Sequence, residues 1–425
     1  MSLSLLNWTF PANWAEATIQ DITSKVGSGA TPRGGASVYV DSGTPFIRSQ
    51  NIYDHEFRYD GLAMIDDYSS RQLQGVTLFK GDVLINITGD SILRCCVLPD
   101  TLAGGRVNQH VAIIRPIFKS VDPIFLQKWL TLPAMKEIML GFSSGGTRKA
   151  ITKGHILRFP VALPPLHEQR GIAATLGALD DKIESNRRIA RLAEEIILAY
   201  FEKYFDISEQ ENGIAISNLI AVNPKYRLKK GVEAIKISMA DLPENSAIIS
   251  TWNKEIVAGG QRFTNGDVLF ARITPCLENG KTSIVDMLDD DSVGFGSTEF
   301  IVLSPKGNIK TAWIYAFARN KSVRTWAARN MTGTSGRQRF QASFFDGYLI
   351  SPPSEKMIEN FNLIANPFTQ KLTQIRDENL KLESLRDALL PELMSGRICV
   401  PEAQEAIAEV IPEEDGEHAS KTSRG

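Results

Sequence analysis

Two stretches of the 425-residue sequence combine glycine with cationic and amide side chains: "SSGGTRKAITKGH" from Ser143 and "MTGTSGRQRF" from Met331. Such residues suit contact with a polyanion. Glycine lets backbone approach a partner closely. An arginine fork matches phosphate or the guanine edge, and glutamine matches adenine. One such loop by itself reads as an ordinary solvated turn. Its recurrence at a matching place in the chain argues for a shared task.

Other motifs fall short of catalysis. "ENGKTS" at Glu278 resembles the end of a phosphate-binding loop, but Pro275 occupies the position that needs glycine. "NPF" at Asn366 lacks the second proline of the amino-methyltransferase motif, and "GFG" at Gly294 is too short to mark a cofactor turn. His55, His110, His155, His167 and His418 show no metal-ligand spacing. Cys95, Cys96, Cys276 and Cys399 form no CxxC pair, which excludes a zinc knuckle and suits a reducing cytoplasm. The expectation is a chain with no catalytic residues, no metal and no cofactor of its own.

The elements that must carry the loops are written twice. "FKGDVLINIT" at Phe79 returns as "FTNGDVLFARIT" at Phe263. "VNQHVAIIRP", ending at Pro116, returns as "GSTEFIVLSP", ending at Pro305. The glycine-basic loops and two Pro-Pro helix starts, at Pro164 and Pro352, complete the series in the same order. The short runs read as strands that alternate apolar and polar residues between Gly, Asp and Pro breakers. Helical stretches lie between them, so the fold class expected is α+β, with two repeated mixed α/β globular domains over 1–163 and 207–351.

Long helices are expected over 164–206 and 352–396. In the first, Ile172, Leu176, Leu179, Ile183, Asn186, Ala190, Ala193, Ile197 and Tyr200 step by fours and threes. In the second, Ile358, Phe361, Ala365, Phe368, Leu372, Ile375, Asn379, Leu382, Arg386 and Leu389 do the same. This is a heptad seam with one asparagine in each helix, a residue that sets register at a cost in stability. Pro367 is expected to kink or break the second helix. The alternative is that each helix packs only on its own domain.

Net charge is −2, so no whole-chain basic signature is present. By segment, each globular part has a small basic excess, the helices are slightly acidic, and 397–425 reads as an acidic disordered tail. The start "MSLSLLNWTFPANW" lacks the features of a signal peptide, and no run reaches the roughly 20 apolar residues of a membrane span. The reading is a cytoplasmic protein.

"LPPLHEQRGIAATLGALDDKIESNRR", "GSGATPRGG…GTPFIRSQNI", the repeated "GDVL" and the plan domain–helix–domain–helix closely resemble type I restriction-modification specificity subunits. The likeness covers nearly the whole chain except the tail. The second helix start departs from the motif, with Ser354, Glu355 and Lys356 in place of Leu-His-Glu-Gln.

The resemblance implies two target-recognition domains, each reading half of a split asymmetric site in double-stranded DNA. It implies an antiparallel coiled coil as spacer, with Ile172, Leu176, Leu179, Ile183 and Asn186 meeting Leu372, Ile375, Asn379 and Leu382. Methyltransferase subunits would dock around that spacer and translocase-nuclease subunits would join. S-adenosylmethionine, ATP and Mg would serve those partners in adenine methylation and DNA cleavage. A helix of this length spans about 60 Å, enough to act as a ruler between groove contacts one turn, about 34–36 Å, apart. On loop position and side-chain type, Arg33, Lys149, Lys153 and Arg339 are assigned to phosphate. Arg48, Gln50, Asn51, Arg148, Arg272, Arg337 and Gln338 are assigned to base edges.

Two rival readings remain at this stage. A drifted nuclease or methyltransferase would bind metal or S-adenosylmethionine. A coiled-coil scaffold would lack DNA affinity. A specificity module of a related, fused restriction system is a variant of the main reading.

Overall fold

The predicted β-runs fold as strands in a computed structural model of the chain, which describes residues 3–142, 150–334 and 338–410. The first half contains β1 (Ala15–Thr18), β2 (Thr23–Ser28), β3 (Tyr39–Val40), β4 (Thr44–Ile47), β5 (Ala63–Ile65), β6 (Val83–Asn86), β7 (Cys95–Val97), β8 (Arg106–Val107), β9 (Val111–Pro116) and β10 (Pro160–Leu163). They form sheets of order β2-β9-β6-β7 and β3-β5-β4-β8, plus an antiparallel β1-β10 pair.

The second half contains β11 (Ile214–Ala215), β12 (Ala221–Val222), β13 (Glu233–Ile237), β14 (Asn253–Ile256), β15 (Gln261–Phe263), β16 (Val268–Ala271), β17 (Thr282–Ile284), β18 (Gly294–Gly296), β19 (Phe300–Ser304) and β20 (Leu349–Ile350). Its sheets are β12-β19-β16-β17 and β14-β13-β18-β15, plus β11-β20. The repeat in sequence is a repeat in topology for one whole sheet and three strands of the other, whose fourth strand, β3 or β15, lies at opposite edges. β4 pairs antiparallel with β5 and parallel with β8, as β13 pairs antiparallel with β14 and parallel with β18.

One expectation changes. The central strands are buried on both faces instead of alternating between core and solvent: β6, β16 and β19 are buried at every position. Alternate residues serve two different cores. Val83 and Ile85 join one cluster while Leu84 joins another; Val268 and Phe270 separate from Leu269 in the same way.

The repeated Gly-Asp has a structural cause. Gly81 and Gly266 take φ values of 77° and 90°, which disfavour a side chain. The next residue closes the turn: Phe79 N donates to Asp82 Oδ2 at 2.8 Å, and Thr264 N to Asp267 Oδ2 at 2.9 Å. Both aspartates are buried and need further donors. Arg115 donates twice to Asp82, at 2.7 and 2.8 Å. In the second domain Tyr226 and Ser304 donate to Asp267 instead.

The helices are α1 (Ile19–Ile22), α2 (Asp67–Gln72), α3 (Pro123–Thr131), α4 (Pro133–Gly141), α5 (Lys153–Leu157), α6 (Leu166–Tyr204), α7 (Ile216–Leu219), α8 (Thr311–Arg319), α9 (Lys321–Arg329), α10 (Glu355–Ser395) and α11 (Val400–Val410). Met1–Glu184 with Lys381–Gly425 form one compact unit and Ser185–Leu380 the other. The unit boundaries therefore fall inside α6 and α10, not at the helix starts.

Within the first unit, Ile172, Leu176, Leu179 and Ile183 share a core with Leu382, Leu389 and Leu393. Within the second, Ala190, Ala193, Ile197 and Phe201 share a core with Phe361, Ala365, Leu372 and Ile375. The start of α6 thus meets the end of α10 and the reverse, which is antiparallel pairing. Asn186 Nδ2 donates to Asn379 Oδ1 at 3.0 Å, so the two seam asparagines are bonded to each other.

Two further expectations are corrected. α10 is one continuous helix through Pro367, so the chain does not break there. The carbonyl that loses its donor there belongs to Leu363, which is 77% exposed, so water can replace the lost bond. Val400–Val410 is helical where a disordered tail was expected. Glu402 accepts from Cys399 N at 2.8 Å at the helix start, and Ala403 is fully buried. Residues 411–425 lie outside the described residues.

Candidate nucleic-acid interface

Each glycine-basic loop returns to its domain beside the end of a GDVL strand. Ala150 bridges antiparallel to Thr88 after β6, and Arg339 bridges antiparallel to Ile273 after β16. The following apolar residue is the anchor: Ile151 and Phe340 are both buried in their cores. Arg148, Lys149 and Arg337 lie outside the described residues.

In the first domain this junction borders a concavity of about 810 Å³. Gln50, Tyr53, Thr88, Asp90, Arg94 and His110 supply its main polar, charged and aromatic groups. Thr88 Oγ1 and His110 Nδ1 lie 2.7 Å apart, and His110 N donates to Asn108 Oδ1 at 3.1 Å. Arg94 packs over the Tyr53 ring at 4.3 Å from its centroid, and Arg58 over the same ring at 3.6 Å. Arg58 is itself held by Glu56 at 2.9 Å.

The predicted contact residues divide. Gln50 faces the concavity, with its amide also donating to Gly61 O at 3.3 Å. Arg33 and Lys153 are exposed. Arg48 donates to Gly61 O at 2.7 Å and so braces its own loop. Asn51 is a correction: it is fully buried, accepts from Arg48 N, and donates to the Arg58 and Asp60 carbonyls. Its amide holds the loop over 48–60 in shape and presents nothing to a base.

In the second domain, Arg272 Nη2 donates to Gln341 Oε1 at 2.8 Å, and Thr274 N donates to the Gln338 carbonyl. Arg339 grips Glu299 through bonds of 2.8–3.0 Å. These bonds hold the Glu299 carboxyl below its ordinary range. Arg339 is thereby tied into the loop base.

The motif that enters α6 is a clamp. Gln169 is buried; it accepts from Asp122 N at 3.0 Å and donates to Ser120 O and Pro164 O. Glu168 accepts from Trp14 Nε1 at 3.1 Å. Both side chains tie separate segments of the first unit to the helix start, and the degenerate second copy lacks them.

A buried charge network continues the attachment. Lys128, with no solvent exposure, contacts Asp180 on α6, whose Oδ1 lies 3.3 Å from Arg386 on α10. Lys128 Nζ and Gln127 Nε2 each lie 2.9 Å from His55 Nδ1. Burial, and then the Lys128 and Arg386 charges, push His55 down to about 2. The neutral ring can therefore accept at Nδ1. Burial also lowers Lys128, while Asp180 pulls it back up. Arg386, placed in the seam by its spacing, thus has an anionic partner.

The rejected motifs have ordinary places. "GFG" is strand β18, and Asn366–Phe368 lies within α10. Lys281 of "ENGKTS" donates to Met239 O at 2.9 Å. Among the described residues, no group of three or more His, Cys, Asp or Glu could hold a metal ion, and no helix is long and apolar enough to cross a membrane. The sequence reading missed Tyr53, Arg94 and His110 as site residues. His110 sits in a repeated segment, but no local signal singles out Arg94.

Residues 11–195 match the type I restriction modification DNA specificity domain. The chain is 29% identical over 181 residues to the type I restriction enzyme EcoEI specificity subunit of Escherichia coli, covering 40% of this chain and 29% of that protein. It is 21% identical over 423 residues to the MjaIX specificity subunit of Methanocaldococcus jannaschii, covering 92% and 95%. The matches to two Escherichia coli subunits thus span under a third of those proteins, at 29% and 32%. The fold is similar to the crystal structure of a type I restriction-modification system S subunit from M. genitalium, with TM-score 0.54, 16% identity, and coverage of 90% and 96%.

Proposed function

We propose that this chain, whose residues 11–195 match the type I restriction modification DNA specificity domain, is the sequence-specificity subunit of a type I restriction-modification complex. Its two domains read the two halves of a bipartite, asymmetric site in double-stranded DNA. One observation carries this reading: two domains share a four-stranded sheet order, and in each the residue that follows the glycine-basic stretch, Ala150, or lies at its end, Arg339, bridges to the same strand end. The loops are alike in placement and different in side chains, as two readers of unlike half-sites must be. Binding through two short contacts raises affinity through effective concentration.

Catalysis belongs to partners in this reading. Methyltransferase subunits bring S-adenosylmethionine for adenine methylation, translocase-nuclease subunits bring ATP and Mg for cleavage, and the complex works in the cytoplasm. The paired α6 and α10 are the surface on which the methyltransferase subunits assemble.

The test is a genome-wide methylation map of cells expressing this chain with its neighbouring methyltransferase, against cells lacking this chain. The expected result is a new methylated adenine in a two-part asymmetric motif. Exchanging the first domain for that of a relative then changes one half only. An unchanged map in an expressed, assembled system refutes the reading and favours a scaffold.

A further inference from the structure

The concavity beside Thr88 has a lining of its own. Its volume of about 810 Å³ falls within the roughly 300–1,000 Å³ of ordinary binding pockets. Its walls come from separate segments around residues 49–53, 88–94, 110 and 150.

The arginines of this domain differ in what they already hold. Arg115 is bound to Asp82, Arg58 to Glu56, Arg48 to Gly61 O, and Arg106 to the carbonyls of Ser70, Gly104 and Gly105. Arg94 makes no ion pair among the described residues, and its guanidinium is oriented by the Tyr53 ring. A cation–π contact holds the head group beside the ring and leaves its N–H groups for another partner.

The repeat points to the same position. Asn86 N donates to Arg94 O, and Ala271 N to Lys281 O, so Arg94 and Lys281 occupy matching places. Lys281 donates to the Met239 carbonyl, whereas Arg94 faces the concavity. His110 corresponds in the repeated segment to Glu299, which Arg339 occupies in the second domain. The first domain therefore keeps an open polar site where the second has closed it.

We propose that Arg94 is a specificity-determining residue, reading a guanine edge through its guanidinium, with Gln50 and His110 as polar neighbours in the same site. This inference rests on the reading of the chain as a DNA-specificity subunit. Guanine presents two acceptors, O6 and N7, that match the arginine fork.

The experiment uses the full chain with its methyltransferase subunit. The wild-type motif is mapped first, then those of Arg94→Ala and Arg94→Lys. Lysine keeps charge and stem but lacks the fork. For both variants, one guanine position in the half read by the first domain loses its preference by about 5- to 150-fold, while the other half stays fixed. Retained preference at every position overturns the proposal. So does an equal loss of methylation at all sequences, which marks a phosphate contact. If the alanine variant fails to accumulate, the lysine variant decides. If the wild-type chain directs no motif, the specificity reading falls and takes this inference with it; a wild-type motif that neither variant alters removes the Arg94 inference alone.

Discussion

Asp180→Asn should cost more stability than loss of the buried lysine it faces. Lys128 has no solvent exposure, while Asp180 and Arg386 side chains keep 17% and 15%. Asparagine at position 180 leaves the Lys128 ammonium buried without its carboxylate, with Arg386 still nearby. Removing one partner of a buried pair costs about 3–5 kcal/mol.

Lys128→Met acts differently. The methionine keeps much of the apolar stem, and Asp180 retains Arg386 at 3.3 Å. The loss is then near that of one charged hydrogen bond, about 1.5–3 kcal/mol, reduced by relief of ammonium desolvation. The double variant removes both charges and should be more stable than Asp180→Asn alone. Because the chain has two compact units, one global unfolding energy need not describe it. Amide hydrogen exchange across α3 reads the relevant unit directly. The reasoning fails if Lys128→Met costs as much as Asp180→Asn, or if the double variant is the worst of the three.

Two further expectations concern the same scaffold. Asn186→Leu alone leaves the Asn379 amide without its present partner and should cost about 1–3 kcal/mol, while leucine at both positions should be neutral or stabilising; amide hydrogen exchange across α6 in wild type and these two variants tests this, and a double variant worse than the single refutes it. For His55 the folded pKa, about 2, lies below its ordinary value of 6.5. The unfolded state therefore binds more protons between these values, so His55's contribution to stability is full above about 6.5 and falls as pH drops. Comparing wild type with His55→Asn between pH 5 and 6.5 should show the variant's stability declining less steeply, by up to roughly 1 kcal/mol per pH unit; equal slopes would place the titration elsewhere.

Much of the scaffold was legible because its signals are local or repeated. Seam positions recur every three or four residues, and Ile172, Leu176, Leu179, Ile183, Leu372, Ile375 and Leu382 are all buried. Even the paired asparagines could be picked out by position. The site was less legible. Asn51 and Gln50 are neighbours of similar chemistry, yet one is sealed under its own loop while the other faces the concavity. Polar type reports what a side chain could bond, not which partner reaches it first.

The amino-acid sequence by itself determined the duplication, the two long amphipathic helices, the Gly-Asp turns and the order of the elements, since each follows from periodicity, backbone sterics or simple recurrence. Only the tertiary structure decided that Glu168 and Gln169 are clamps, that Arg386 meets Asp180, that Arg339 is held by Glu299, and that Arg94 remains available. Those outcomes depend on groups tens to hundreds of residues apart competing for the same hydrogen bonds, and that competition is settled only when the chain is packed.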